Sequence, residues 1–264
     1  MCATVEASER LQGRRALVTG SATGIGRATI TRLASEGAAA VVNYVGSRDP
    51  ADEVVADIEA AGGHAIAVEA DVSNEEQVQA MFARAAEELG GPINVLVNNA
   101  GVEAPYLLVD MPLEEWNRVI SVNLTGGFLC AREAARGMVG AEIPGVIVNV
   151  SSVHEVIPWE RFGHYCASKG GMKLWAQTIA KELAPKRIRV MNVAPGAIAT
   201  PINKSVLEDD VMRRAVETEI PWGRFGKPEE VAATIAWLCS DEAEYLTGTT
   251  VFVDGGMTAY PGFI

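Results

Sequence analysis

The chain has 264 residues, 48% of them hydrophobic, and it carries a formal net charge of -12 with a pI near 4.8. The acidity argues against a nucleic-acid partner, because there is no basic surface to neutralise phosphates. The sequence has neither a secretory signal nor an apolar run of membrane-spanning length, so we expect a cytoplasmic protein without a membrane partner. Its scattered cysteines and histidines predict reduced thiols and no metal site.

Short β-rich runs alternate with longer helical patterns along the chain. The runs are apolar almost throughout, as expected when helices cover both faces of a parallel sheet. This alternation predicts an α/β fold, a single doubly wound Rossmann domain over 1–264 with a seven-stranded parallel sheet, helices on both faces and an N-terminal tail at 1–12. The predicted strands are 15–19, 40–44, 65–69, 94–98, 146–150, 189–194 and 250–253, and the predicted helices are 24–36, 51–61, 75–89, 113–138, 164–184 and 228–239.

A glycine-rich loop follows the first strand directly and opens the first helix. Glycines let the backbone turn tightly and approach a pyrophosphate, while the helix N-terminus presents unpaired N–H groups to it. The position of the loop between strand and helix predicts a dinucleotide site more strongly than the glycines alone. Its predicted cofactor-binding residues are Gly20, Ser21, Thr23, Gly24, Ile25 and Gly26.

The second strand ends about 20 residues past the glycines, where the cofactor ribose is expected. An acid there would hold a free 2′-hydroxyl and repel a 2′-phosphate, but this chain has Asn43-Tyr44-Val45. Arg48, with help from Ser21, could hold a 2′-phosphate. We therefore expect the protein to use both NAD and NADP.

Two further strand ends supply candidate cofactor contacts, since ligands of such a sheet bind at the carboxyl edge of its strands. Asp71 and Val72 follow the third strand and could contact the adenine, although Asp71 could also cap the next helix. The turn 98–101 ends the fourth strand, and its predicted cofactor contacts are Asn99, Ala100 and Gly101.

Tyr165 and Lys169 lie four residues apart and share one face of a predicted helix. An unperturbed phenol titrates near pH ~10, so Tyr165 needs a neighbouring ammonium that lowers its pKa before it can accept an alcohol proton at neutral pH. Ser152 is placed at the carboxyl end of the fifth strand, where it can orient the alcohol. Together the three residues indicate a base, its activator and an orienting hydroxyl, and therefore an enzyme. Segment 198–222, with Pro201 and Pro221, is predicted to be a mobile substrate lid.

These motifs resemble those of the classical short-chain dehydrogenase/reductase family from about Leu11 to Met257. The resemblance implies that Tyr165 is the general acid/base, that Ser152 binds the reacting oxygen and that Lys169 also binds the nicotinamide ribose. Asn123 matches the residue that holds a relay water in that family. The implied contacts with the nicotinamide and pyrophosphate are Pro195, Gly196, Ile198 and Thr200.

Within the family, stretches 98–105, 151–159, 164–173 and 254–261 are similar to bacterial glucose 1-dehydrogenases. Glu103 and His154 flank the catalytic stretches and could hydrogen-bond sugar hydroxyls, whereas an acyl or steroid pocket would be mainly apolar. Val45 departs from the pattern, since these enzymes often carry an arginine there. The substrate-binding residues implied by this similarity are Glu103, Ser152, His154 and Tyr165.

The resulting hypothesis is NAD(P)-dependent oxidation of an aldose, with β-D-glucose as the leading candidate, at its C1 hydroxyl to give the lactone. The nearest alternative is a reductase of 3-oxoacyl thioesters or other ketones, because the stretch 221–230 is common across the family. A non-catalytic dinucleotide-sensing module is a remote alternative, since it has little reason to keep a catalytic serine, tyrosine and lysine together. The resemblance also implies a homotetramer, with interfaces at helices 113–138 and 164–184 and near 250–260.

Overall fold

Seven parallel strands form a sheet in the order β3-β2-β1-β4-β5-β6-β7. The computed structural model describes residues 9–259. The strands are rich in valine, isoleucine and alanine, and β-branched residues pack well on a pleated surface. Their bounds are β1 Arg15–Val18, β2 Ala39–Tyr44, β3 Ala65–Glu69, β4 Val95–Asn98, β5 Gly145–Val150, β6 Ile188–Pro195 and β7 Thr250–Val253.

Nine α-helices occur within the described residues, and their start signals can be read from the sequence. Asn74 caps α3 by accepting a hydrogen bond from the Gln77 N–H, and Pro228 opens α9 at a position where its missing N–H costs nothing. The helices are α1 Gly24–Ser35, α2 Asp49–Ala60, α3 Glu75–Glu88, α4 Leu113–Ile120, α5 Gly126–Gly140, α6 Gly163–Leu183, α7 Lys204–Glu208, α8 Asp210–Thr218 and α9 Pro228–Cys239.

The two faces of the sheet are buried against different helices. Alternate residues of each strand point to opposite faces, so Ala16 and Val18 pack with α1, α2 and α9, whereas Leu17 packs with α3, α5 and α6. The same alternation divides the side chains of β4 and β5 between the two apolar clusters. Both faces of the sheet are therefore shielded from solvent, which explains why the strands are apolar throughout.

The predicted fold class is confirmed, with a seven-stranded parallel sheet between two layers of helices. The predicted helix 113–138 is divided into α4 and α5 by a π-helical turn, Ser121–Thr125, which contains Asn123. The predicted N-terminal tail, 1–12, includes residues that belong to the folded domain. Leu11 is fully buried in the core, and Arg10 pairs with the buried Glu36. Residues 1–8 of that tail lie outside the described residues.

The strand order creates the crevice in which a ligand of this fold binds. β1 and β4 are neighbours, but the chain continues to opposite edges of the sheet from them, through β2 and β3 on one side and β5 to β7 on the other. The loops that leave the carboxyl ends of β1 and β4 therefore diverge and leave an opening between them. No helix among residues 9–259 is long and apolar enough to cross a membrane.

Candidate active site

The loop after β1 is shaped to accept an anionic group at the N-terminus of α1. Gly20 and Gly24 adopt positive φ angles of 61° and 57°, which L-residues with side chains rarely adopt. Thr23, the residue before α1, makes no side-chain capping bond, and the first turn contains no acid. The first N–H groups of α1 and its positive dipole end are thus available to a pyrophosphate, so the loop fits a dinucleotide cofactor.

Two asparagines hold this loop in place. The Asn43 side chain accepts a hydrogen bond from the Gly20 N–H at 3.0 Å and donates to the carbonyls of Val68 and Ala70. The Asn99 amide donates to the carbonyls of Thr19 at 2.8 Å and Gly20 at 3.1 Å. Both side chains are committed to the protein backbone, so they position the cofactor loop, although both residues also line the cleft.

Three of the predicted cofactor-binding side chains do not line the cleft. The buried Ser21 hydroxyl donates to the Val18 carbonyl and accepts from the Asn43 N–H, so the expectation that it helps to hold a 2′-phosphate is wrong. The Tyr44 side chain is 6% exposed within the core and is not available to a ligand. Arg48 pairs with Asp52 on the protein surface, at 3.0 Å, and does not line the cleft.

Asp71 and Val72, which are predicted to contact the adenine, line the cleft together with Val45 and Ala70. One carboxylate oxygen of Asp71 accepts hydrogen bonds from the Ser73 N–H and hydroxyl. Asp71 therefore stabilises the turn before α3, while Asn74 caps the helix itself. Its second carboxylate oxygen has no such bond among the described residues and remains available to a ligand.

Ser152, Tyr165 and Lys169 line one cleft of about 900 Å³ with the glycine loop. Ser152 follows β5, and Tyr165 and Lys169 lie one turn apart near the start of α6. The end of β6 and the loop after it complete the wall with the predicted residues Pro195, Gly196, Ile198 and Thr200. The structure thus brings the predicted catalytic groups together beside the predicted dinucleotide site.

Burial shifts the pKa values of the catalytic pair. It lowers the pKa of Lys169 to about 8, while the carboxylates of Glu103 and Glu155 raise it. Enclosure raises the pKa of Tyr165 well above its ordinary value, and the Ser152 hydroxyl partly offsets this effect. The lowering of the tyrosine pKa by Lys169 stays a prediction. The Lys169 ammonium donates to the Val150 carbonyl at 2.8 Å and lies 5.5 Å from the centre of the Tyr165 ring.

Asn123 lies behind the cleft and does not line it. Its side chain is 1% exposed, accepts from the Val102 N–H at 2.8 Å and donates to the Val102 carbonyl at 3.0 Å. The amide therefore fixes the loop after β4 to the π-helical turn. Because both ends of the amide are already paired, a relay water at this residue would need its main-chain carbonyl.

Two polar side chains enter the substrate side of the cleft, and both are predicted residues. Burial raises the pKa of Glu103, although the positive charge of Lys169 opposes the shift. Burial lowers the pKa of His154, so the imidazole is neutral at pH 7. Its Nδ1 lies 3.1 Å from the Ile157 carbonyl, an acceptor, so Nδ1 carries the proton. The remaining nitrogen, Nε2, is therefore a hydrogen-bond acceptor, as is the Glu103 carboxylate.

An aromatic stack fixes the plane of the His154 ring. The ring centres of His154 and Trp159 are 4.5 Å apart, and those of Trp159 and Phe162 are 3.7 Å apart, with both pairs nearly parallel. Two rings this close on one face of Trp159 would overlap, so His154 and Phe162 cover opposite faces. Trp159 was not among the predicted site residues, although it lies only seven residues after the predicted catalytic Ser152 in the sequence.

The predicted lid supplies further cleft residues that the sequence analysis did not name. A short 3₁₀ turn, Pro201–Asn203, together with α7 and α8 forms this segment. Its mobility stays a prediction. The cleft residues it contributes are Pro201, Ile202, Asn203, Val206, Val216 and Glu219. No cluster of His, Cys, Asp and Glu that could hold a metal ion occurs in residues 9–259.

Comparisons with known proteins agree with this geometry. The model of the family described as "Enoyl-(Acyl carrier protein) reductase" matches residues 20–258. The protein named 3beta-hydroxysteroid dehydrogenase 1 from Eggerthella lenta is 50% identical over 253 residues, which cover 96% of this chain and 97% of that protein. Glucose 1-dehydrogenase 2 from Bacillus subtilis is 48% identical over 255 residues, covering 95% of this chain and 97% of that protein.

Among solved structures, a short-chain type dehydrogenase/reductase from Mycobacterium marinum has a TM-score of 0.89 and 37% identity, over 94% of this chain and 97% of that chain. The fold and the site together define an oxidoreductase built on a dinucleotide-binding sheet. The chain belongs to the short-chain dehydrogenase/reductase family, close to the glucose 1-dehydrogenases. Members of this family generally use NAD or NADP.

Proposed function

We propose that this protein oxidises the C1 hydroxyl of a cyclic aldose, β-D-glucose foremost, to the lactone. The observation that carries the proposal is the Glu103 carboxylate, which lines the same cleft as Ser152 and Tyr165. A charge on the wall of an apolar ligand's pocket is costly, whereas sugar hydroxyls donate well to a carboxylate. His154 adds a second acceptor, so the cleft suits a ligand with several donors. The similarity to the Bacillus subtilis glucose 1-dehydrogenase supports the same choice.

The chemistry follows from groups of this chain. Ser152 holds the C1 hydroxyl, and Tyr165 accepts its proton as the C1–H bond breaks. Lys169 stabilises the phenolate that forms and hydrogen-bonds the cofactor ribose, while Asn123 holds the relay through which the proton leaves. A bound nicotinamide supplies the acceptor for the hydride. Gly20, Thr23, Gly24 and Ile25 bind the pyrophosphate, and Asp71 and Val72 bind the adenine.

Both NAD and NADP are proposed as cofactors. The four residues directly after β2, 45–48, include no acid to repel a 2′-phosphate, and Val45, which is 66% exposed, lines this part of the cleft. Within residues 9–259, the Arg48 side chain is held by an exposed ion pair with Asp52. Such a pair breaks at little cost, so Arg48 remains available to a 2′-phosphate without being required for a 2′-hydroxyl.

We also propose that the enzyme is a cytoplasmic homotetramer. Apolar side chains on the outer surfaces of α4, α5 and α6 are exposed, among them Leu113 at 68%, Phe128 at 41% and Leu174 at 67%. Phe252 on the edge strand β7 is 36% exposed. Pairing of these surfaces across two-fold axes would bury them, which is the usual reason for such residues on a protein surface.

A second candidate is oxidation of a 3-hydroxysteroid, or the reverse reduction of a ketone or 3-oxoacyl thioester. The outer part of the cleft favours it, because Val153, Ile157, Ile202, Val206 and Val216 are apolar. The 50% identity to the Eggerthella lenta protein named 3beta-hydroxysteroid dehydrogenase 1 supports it as well. Glu103 weighs against it, since a sterol skeleton offers this carboxylate no donor.

A substrate panel tests the proposal. Aldoses and a 3β-hydroxysteroid are assayed with oxidised NAD and NADP, and an acetoacetyl thioester is assayed with the reduced cofactors. The nicotinamide absorbance reports each reaction. We expect β-D-glucose to give the highest kcat/KM, with a ratio between NAD and NADP below about 100-fold. Absence of aldose oxidation with activity on the steroid or thioester would reject the sugar assignment and leave the hydride chemistry standing.

Glu103→Gln separates sugar binding from the chemical step. We expect KM for glucose to rise about tenfold to a hundredfold, because a hydrogen bond to a charged group contributes about 1.5–3 kcal/mol, while cofactor affinity stays unchanged. Glu160→Gln is the matched control, since Glu160 is exposed and does not line the cleft. Equal KM values for Glu103→Gln and the wild type would remove the observation on which the sugar assignment rests.

A further inference from the structure

Glu155 is a buried carboxylate close to the catalytic residues that does not line the cleft. It ends the 3₁₀ turn Val153–Glu155 after β5, and its side chain is 0% exposed. Its neighbours Val153 and His154 line the cleft, but Glu155 does not. It therefore does not contact a substrate or cofactor there, and its charge needs another explanation, because burying a carboxylate is costly.

The contacts of Glu155 compensate only part of that cost. One carboxylate oxygen accepts from the Ser151 hydroxyl at 2.7 Å. The other lies 3.5 Å from the Lys173 ammonium and receives no hydrogen bond from the described residues. Lys173 is 33% exposed, so solvent weakens this ion pair. These contacts hold the carboxylate in place and leave much of its charge uncompensated.

The Lys169 ammonium lies at the same strand end. Its residue is 3% exposed, and its nitrogen donates to Val150, the residue before the Ser151 that binds Glu155. Lys169 and Lys173 are one turn apart and share one face of α6. The carboxylate is thus held beside Lys173, at the strand end where the enclosed Lys169 ammonium binds the Val150 carbonyl.

We propose that Glu155, held by Ser151 and Lys173, is a positioning residue that supplies the permanent counter-charge to the Lys169 ammonium. Burial disfavours the charged form of Lys169, and two carboxylates oppose this effect, Glu103 from the loop after β4 and Glu155 from the turn after β5. Tyr165, on the same helix, also faces the ammonium, and Lys173 lies one turn further along that helix.

The two carboxylates differ in what happens to them during a reaction. Glu103 lines the cleft, so a bound substrate occupies it. Glu155 is enclosed by protein, so a bound substrate does not occupy it. Its effect on Lys169 therefore does not depend on the occupancy of the cleft, and by binding Ser151 it also fixes the backbone next to Ser152.

The test uses Glu155→Gln and Lys173→Met in the full-length enzyme. Glutamine keeps the size of the side chain and an acceptor for Ser151 but removes the charge, and methionine keeps the lysine stem. Lys169 is titrated by its ¹³Cε NMR signal in ¹³C-lysine-labelled protein, assigned with Lys169→Met. This measurement requires no substrate, so it does not depend on the proposed sugar. The pH profile of kcat/KM is measured in parallel with the best substrate of the panel.

We expect opposite shifts from the two variants. Loss of a neighbouring anion in Glu155→Gln should lower the Lys169 midpoint by about one pH unit and move the alkaline limb of the profile, where the ammonium loses its proton, to lower pH. Loss of a neighbouring cation in Lys173→Met should raise the midpoint. Unchanged midpoints, or shifts in the same direction, would overturn the proposal. If Glu155→Gln does not fold, Glu155→Asp replaces it: the shorter side chain withdraws the carboxylate from the lysines and should also lower the Lys169 midpoint, and an unchanged midpoint in that variant would overturn the proposal.

Discussion

Replacing Tyr165 with phenylalanine should lower turnover by about 10³-fold, because general acid–base catalysis contributes on the order of 10²–10⁴-fold. The substitution removes only the phenolic oxygen, and the ring contacts with His154 and Trp159 remain. The dissociation constant of the cofactor should therefore stay within about twofold of wild type. Turnover is measured by nicotinamide absorbance, and cofactor binding by isothermal titration calorimetry.

Tyr245→Phe is the matched control, because Tyr245 is fully exposed and lies away from the cleft residues. It should keep wild-type turnover. If Tyr165→Phe retained more than about a tenth of wild-type turnover, Tyr165 would not be the base. A loss of turnover accompanied by equal loss of cofactor binding would assign it a binding role instead.

Replacing Gly26 with alanine should damage the dinucleotide site. A Cβ atom at this position would lie 2.5 Å from the Gly20 carbonyl oxygen and 2.6 Å from the Asn99 amide nitrogen. These atoms belong to the glycine-rich loop and to the side chain that holds it in place, so neither can move without changing the shape of the loop. Overpacking costs about 1–3 kcal/mol, and we expect cofactor affinity to fall by about tenfold to a hundredfold.

Gly140→Ala provides the comparison for Gly26→Ala. Gly140 also lies in a helix, but a Cβ there meets nothing within 4 Å. Alanine should leave cofactor affinity unchanged and stabilise the protein slightly, because it is the better helix former. Circular dichroism and thermal melting establish that both variants are folded. An unaltered cofactor dissociation constant in folded Gly26→Ala would contradict the close approach described for this loop.

The fold was predictable because its main determinants are local. Apolar strand runs, helical periodicity and end signals such as Asn74 and Pro228 specify the alternation of elements, and parallel strands with short connections leave few topologies. Leu11 was assigned to a tail because a single apolar residue gives no period from which its burial can be read.

The catalytic groups were also predictable, but their hydrogen-bond partners were not. A spacing of four residues places Tyr165 and Lys169 on one helix face. It does not reveal that the ammonium binds the Val150 carbonyl, a contact made across 19 positions of sequence. Ser21 was misassigned for the same reason, since its hydroxyl is used by β1 and β2, which only the folded chain brings together.

The central claim is that the C1–H bond of an aldose breaks in this cleft while Tyr165 takes the hydroxyl proton. Incubation of the enzyme with β-D-[1-²H]glucose and oxidised cofactor, followed by mass spectrometry and NMR of the reduced cofactor, tests this directly. We expect deuterium at nicotinamide C4, with gluconolactone or its hydrolysis product formed in equal amount, and no transfer by Tyr165→Phe. Reduced cofactor without deuterium, or no reduction at all from glucose, would contradict the account.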